Sequence, residues 1–164
     1  MKRIMALVVS VLLLVGLTAC NQNVGRHADG IIKADKATIE IGSTHTAFDG
    51  MEIQIVNAVW NDEETKFDVN WINKTGHEVV YGDYDIERED GDKWTSCVTL
   101  DNLAFNSIGY ELKSGATQKK TYKLTDIFDI SENGKYRFTT DCFVYDKGRG
   151  GESTECELWV EFTV

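Results

Sequence analysis

The sequence predicts an all-β chain folded as an antiparallel sandwich. From about residue 37 onward, apolar residues recur at every second position. Turn signals interrupt these runs roughly every 8–15 residues, the spacing expected of a sandwich. Helical spacing is missing from the same stretch, apart from a single turn suggested near Thr125-Asp126-Ile127-Phe128. The chain has 164 residues, 27% of them charged and 42% apolar, which suits one globular domain and not a disordered chain.

The first strand signal is Ile39 and Ile41 between polar neighbours. Ile53, Ile55 and Val59 then share a face, as do Phe67, Val69 and Trp71. Val80, Tyr84 and Ile86 form the next face, with Gly82 among them. Asp90-Gly91 is a hairpin signal, because it tolerates the positive φ of a type I′ turn. Trp94, Ser96, Val98 and Leu100 follow, then Tyr122 and Leu124. Tyr136, Phe138, Thr140, Cys142 and Val144 alternate with outward residues. The last strand is the clearest, with Cys156, Leu158, Val160, Phe162 and Val164 on one face. This makes seven or eight strands, with Trp71, Trp94, Tyr136, Leu158, Val160 and Phe162 expected in the core. No repeat of fixed period points to a solenoid or propeller.

The N-terminus is an address. Lys2 and Arg3 precede an apolar run from Ile4 to Leu17, shorter than the ~20 residues that a spanning helix needs. Leu17-Thr18-Ala19-Cys20 then resembles the lipobox of bacterial lipoproteins. The resemblance implies cleavage before Cys20 and a diacylglyceryl group on its sulfur. Two buried acyl chains anchor stably where one does not. The alternative is ordinary secretion, with Cys20 incidental. Residues 1–19 are thus expected to be a signal peptide, 20–36 a tether and 37–164 the domain. The expected location is the extracytoplasmic face of a bacterial membrane.

Charge narrows the partners. The formal net charge is −10, and cleavage would remove Lys2 and Arg3 and deepen it to about −12. Such a chain lacks the basic face that displaces counterions from nucleic acid, so no nucleic acid is expected. It is also repelled by anionic lipid, so the body should stand off the membrane on its tether.

Three segments resemble the core of a bacterial immunoglobulin-like domain found on surface lipoproteins of clostridial type. They are Asn73-Lys74-Thr75-Gly76, Tyr81-Gly82-Asp83-Tyr84-Asp85-Ile86-Glu87 and Asp90-Gly91-Asp92-Lys93-Trp94. Gly109-Tyr110-Glu111-Leu112, Ile130 and Gly134-Lys135-Tyr136-Arg137-Phe138 match its closing part, so the resemblance covers roughly residues 50–164. It implies an immunoglobulin-like sandwich at the cell surface and no settled activity. The second strand, Lys66 to Asn73, lacks a cysteine, so no inter-sheet disulfide of the antibody kind is expected.

Candidate chemistry is sparse. His27, His45 and His77 have no i, i+4 partner, and neither a phosphate-binding glycine motif nor a serine elbow is present. An enzyme is not expected, although a site assembled in space would escape this reading. Asp83, Asp85, Glu87 and Glu89 alternate on one strand, followed by Asp90 and Asp92. Alternate strand residues lie ~7 Å apart, too far for four to close on one ion, and Arg88 and Gly91 break the calcium-loop spacing. The run reads as a solvated face or a patch for a cationic partner, and no metal or cofactor is expected. Asn73-Lys74-Thr75 fits the glycosylation pattern but carries no weight in a bacterial lipoprotein.

The last two strands yield a register. A symmetric hairpin across the loop around Arg149 places Cys142 opposite Cys156, Arg137 opposite Glu161, Thr139 opposite Trp159, Asp141 opposite Glu157 and Phe143 opposite Glu155. Directly opposed inward cysteines stand close enough for a disulfide between Cys142 and Cys156, leaving Cys97 over. The bland alternative is two small apolar residues in contact. Outward, Trp159, Phe143 and Tyr145 stand among Asp141, Glu155, Glu157 and Glu161, which is more aromatic surface than a sandwich needs. This patch is the candidate binding face for a basic or sugar-like partner, unless a loop or the tether folds over Trp159. The function expected is a non-catalytic binding or accessory lipoprotein that engages an unknown protein or cell-envelope polymer. An acidic inhibitor or immunity lipoprotein directed at a basic secreted protein is the alternative.

Overall fold

The computed structural model describes residues 30–99, 108–130, 133–147 and 150–164. The expected signal peptide, Cys20, His27, the first part of the expected tether, Leu100 and Arg149 lie outside these residues. The described residues form ten strands and no helix. The strands are β1 (Ile31–Lys33), β2 (Thr38–Thr46), β3 (Met51–Trp60), β4 (Thr65–Asn73), β5 (Glu78–Asp90), β6 (Lys93–Ser96), β7 (Tyr110–Leu112), β8 (Thr117–Lys123), β9 (Lys135–Tyr145) and β10 (Ser153–Thr163). A seven-stranded sheet runs β1-β2-β10-β9-β5-β6, with β7 also on β5, and packs over a three-stranded sheet, β3-β4-β8. The two strands beyond the expected eight, β1 and β7, have three residues each, too few to display a period of two. Ile31–Lys33 therefore belongs to the sandwich and not to the tether, pairing with Thr38–Glu40.

The core forms where the inward faces of both sheets meet. Phe67, Trp71, Tyr136, Phe138, Leu158, Val160 and Phe162 are wholly buried. Each such side chain stabilises the fold by about 1.5–3 kcal/mol relative to exposure. Trp71 of β4 stacks on Tyr81 of β5 at 3.8 Å, joining the sheets. Its indole N–H donates to the Tyr122 hydroxyl at 2.9 Å, satisfying the donor that burial would otherwise strand. The Tyr136 ring stacks on Phe162 at 5.5 Å.

Two bulges move residues off their expected faces. Pairing of β3 with β4 slips between Ile55 and Asn57, so Ala58 turns inward and Val59 does not. Pairing of β5 with β9 slips between Tyr81 and Tyr84. Val79 and Tyr81 are therefore buried before the bulge and Ile86 after it, whereas Val80 faces outward. The β5–β6 turn also differs from expectation. Gly91 alone has positive φ (63°), and it sits at the first central position, as a type II′ turn requires. The segment Thr125–Ile127 is a turn, with Asp126 at φ 67°.

Asn73 holds one end of the sandwich. It is fully buried, and its amide donates to the carbonyls of His77 (2.8 Å) and Leu112 (2.9 Å) while its oxygen accepts from Thr75. With every position used, the acceptor pattern at this residue serves the fold. On edge strand β8, Lys120 points inward over the Tyr110 ring, 3.2 Å from its centroid. An inward charge on an edge discourages pairing with another chain.

Candidate functional site

The outward side of the larger sheet carries the residues singled out from sequence. β9 and β10 pair in the expected register along their length, including Cys142 with Cys156, Thr139 with Trp159 and Asp141 with Glu157. The structure nonetheless splits the patch in two.

One half is compensated from within. The Arg137 guanidinium lies 4.8 Å from the Trp94 ring centroid and 5.8 Å from that of Trp159. Arg137 also pairs with Glu87 and lies 4.0 Å from Glu157. Lys135 lies 3.2 Å from Glu161 and 3.3 Å from Glu89. His45 of β2 stacks on Trp159 at 5.2 Å with the rings 21° apart. Trp159 is half-buried, with His45 of the neighbouring strand and the Arg137 cation against its ring. Trp159, Glu157 and Glu161 thus belong to a ladder of stacked rings and ion pairs. Its members Arg137, Lys135, His45 and Trp94 are absent from the sequence-based patch. Trp94 is half-buried in this ladder and not in the core, because the β5–β6 hairpin pairs it with outward Glu89.

The acidic face of β5 is largely absorbed by the same ladder. Glu87 and Glu89 have cationic partners, and Asp85 accepts from the Ser96 hydroxyl at 2.9 Å. Burial pushes the Asp85 carboxyl up, against the opposing effect of that hydrogen bond. Asp83, in the bulge, is exposed and pairs with no described cation. Among the described residues no group of three His, Cys, Asp or Glu is placed to hold a metal ion.

The other half of the patch is an open groove of about 490 Å³ above the β5 bulge. Val80, Phe143 and Tyr145 lie along it, Ile108 flanks it, and Asp83, Asp141 and Glu155 face it. Phe143 is 38% exposed and Ile108 49%, two of the three large apolar side chains left exposed among the described residues. Two glycines allow the wall to form. A Cβ on Gly82 would meet the Ile108 carbonyl oxygen at 3.0 Å, and one on Gly109 would meet Val80 Cγ1 at 2.7 Å. A side chain at either position would push the 108–109 backbone or Val80 from its present place.

Burial holds the described cysteines, Cys97, Cys142 and Cys156, in their thiol form. Cys142 and Cys156 are free thiols, buried and directly opposed. Burial pushes Cys142 up to about 12, and it pushes the half-buried Cys97 up to about 11. The register needed for a Cys142–Cys156 bond is present, and the bond is not formed in this structure.

The sequence model of the bacterial Ig-like domain matches residues 47–162. The chain belongs to this family. The matched residues hold β3 to β9 and nearly all of β10, strands of both antiparallel sheets, whereas β1 and β2 precede the match. Domains of the family typically serve as non-catalytic surface or accessory modules. Among curated proteins and solved structures, none matches the chain.

Proposed function

We propose that this bacterial Ig-like domain is a lipid-anchored binding module. It is held by Cys20 on the extracytoplasmic face of a bacterial membrane and captures a cationic protein or envelope polymer on the outward side of its larger sheet. The observation that supports this best is the unequal compensation of that surface. Arg137 and Lys135 neutralise one half, while Asp83, Asp141 and Glu155 have no cation among the described residues. Opposite charge on a partner would speed encounter and set its orientation.

The anchor and the face are tested together. The processed protein should enter the detergent phase, and Cys20→Ser should not. Sedimentation with envelope fractions should retain the wild type and lose Phe143→Ala/Glu155→Lys. A control reversal of exposed charges elsewhere, Asp49→Lys/Asp92→Lys, should be retained. Equal retention of all three would remove the face from consideration. Unchanged partitioning of Cys20→Ser would remove the anchor.

A further inference from the structure

We infer that the groove above the β5 bulge is a receptor for a lysine side chain presented by a basic polypeptide. This rests on the outward side of the larger sheet being the binding face. A lysine has two parts, an apolar four-carbon stem and a compact ammonium with three donors. The groove offers a counterpart for each. Phe143, Val80 and Ile108 form an apolar floor and wall on which the stem can lie. The carboxylates surround that floor. Glu155 is paired directly across from Phe143, and Asp141 lies two residues along the same face of β9. Asp83 is one of two β5 residues set against Asp141 by the bulge. Such two-against-one geometry re-aims a side chain, here bringing a third carboxylate to the groove.

The same surface shows what a satisfied arrangement looks like. One strand pair away, every carboxylate near Trp94 and Trp159 that faces Arg137 or Lys135 is paired with it. An aromatic ring, a cation and flanking carboxylates recur there as one unit. The groove repeats the ring and the carboxylates and lacks the cation, so an external cation completes it. An amino-sugar ring holds its ammonium directly on a rigid, hydroxyl-bearing frame, so it lacks the flexible stem that can cross the Phe143 floor and still bring its charge to the carboxylates at the rim.

The experiment uses the processed protein in neutral detergent with hexalysine as probe, and a six-unit glucosamine oligomer as the rival cation. Zero-length carbodiimide coupling, read by peptide mass, locates the carboxylates that touch the amine. Coupling of hexalysine is expected at Asp83, Asp141 and Glu155. Asp141→Asn/Glu155→Gln and Phe143→Ser should each weaken hexalysine binding about tenfold, and Asp49→Asn/Asp92→Asn should leave it unchanged. Equal loss in that charge-matched control, or coupling spread over the whole acidic surface, would overturn the site. Tighter binding of the glucosamine oligomer would overturn the polypeptide assignment. If hexalysine fails while envelope retention still depends on Phe143 and Glu155, this inference falls and the binding face stands. If neither depends on them, both fall.

Discussion

Asp141 of β9 lies directly opposite Glu157 of β10, two like charges paired across one face of the larger sheet. Arg137 reaches toward Glu157 at 4.0 Å, and no described cation pairs with Asp141. Like charges in this position cost up to roughly 1 kcal/mol. Slipping the register by one residue would relieve them, but it would also turn Cys156, Leu158, Val160 and Phe162 outward. All four are at most 2% exposed. At about 1.5–3 kcal/mol for each large apolar side chain, the inward face decides the pairing and the outward pair is tolerated.

Asp141→Asn should therefore stabilise the domain by about 0.5 kcal/mol while weakening cation capture. Paired thermal melts and hexalysine titrations check this. A lower melting temperature would show that Asp141 has a structural partner.

Oxidation should join Cys142 to Cys156 and leave Cys97 free, as mass mapping without reductant would reveal. The bond closes a loop of about 15 residues and should add about 3 kcal/mol of stability. Burial pushes Cys142 up to about 12, so thiolate is scarce at neutral pH and alkylation of the reduced, folded protein should be slow. Any bond to Cys97 would contradict the observed pairing.

Arg137→Ala should lower stability by about 2 kcal/mol, and Arg137→Lys by about 1, because an ammonium replaces a guanidinium that lies over both the Trp94 and Trp159 rings. Urea melts followed by tryptophan emission give both values. Trp159→Ala should also lower the melt, since its ring packs on His45. A loss smaller than 0.5 kcal/mol for Arg137→Ala would mark the ladder as ornamental to stability.

High pH should unfold the domain. Burial pushes Tyr81 and Tyr84 up to about 12, and Tyr122 higher still. An unfolded tyrosine ionises near ~10. Between these values the unfolded chain releases protons that the fold retains, so stability is full below about pH 10 and falls as pH rises toward 12. Denaturant midpoints across this window, with tyrosinate absorbance alongside, test the slope. The Tyr81 hydroxyl is buried without a hydrogen-bond partner, so Tyr81→Phe should flatten the slope and cost no stability at pH 7.

Alternation of apolar residues was enough to settle the sandwich and the pairing of β9 with β10. A period of two has only two phases, and burial selects one of them. The hairpin loop then made each opposing pair calculable, from Cys142 with Cys156 to Arg137 with Glu161. Local pattern could not reveal where that period breaks. The bulges at Val56 and at Gly82-Asp83 change which residues face inward, and each depends on how the strand meets its partner. It also could not reveal which charges are already spent. Trp159 and Phe143 look alike in sequence, as outward aromatics among carboxylates. Pairing with distant β2 and β5 brings His45 and Glu87 to the ladder around Trp159 and Arg137, whereas the bulge and two glycines leave a groove beside Phe143. Neutralisation depends on neighbours tens of residues away in the chain, so only the tertiary structure distinguishes a closed surface from an open one.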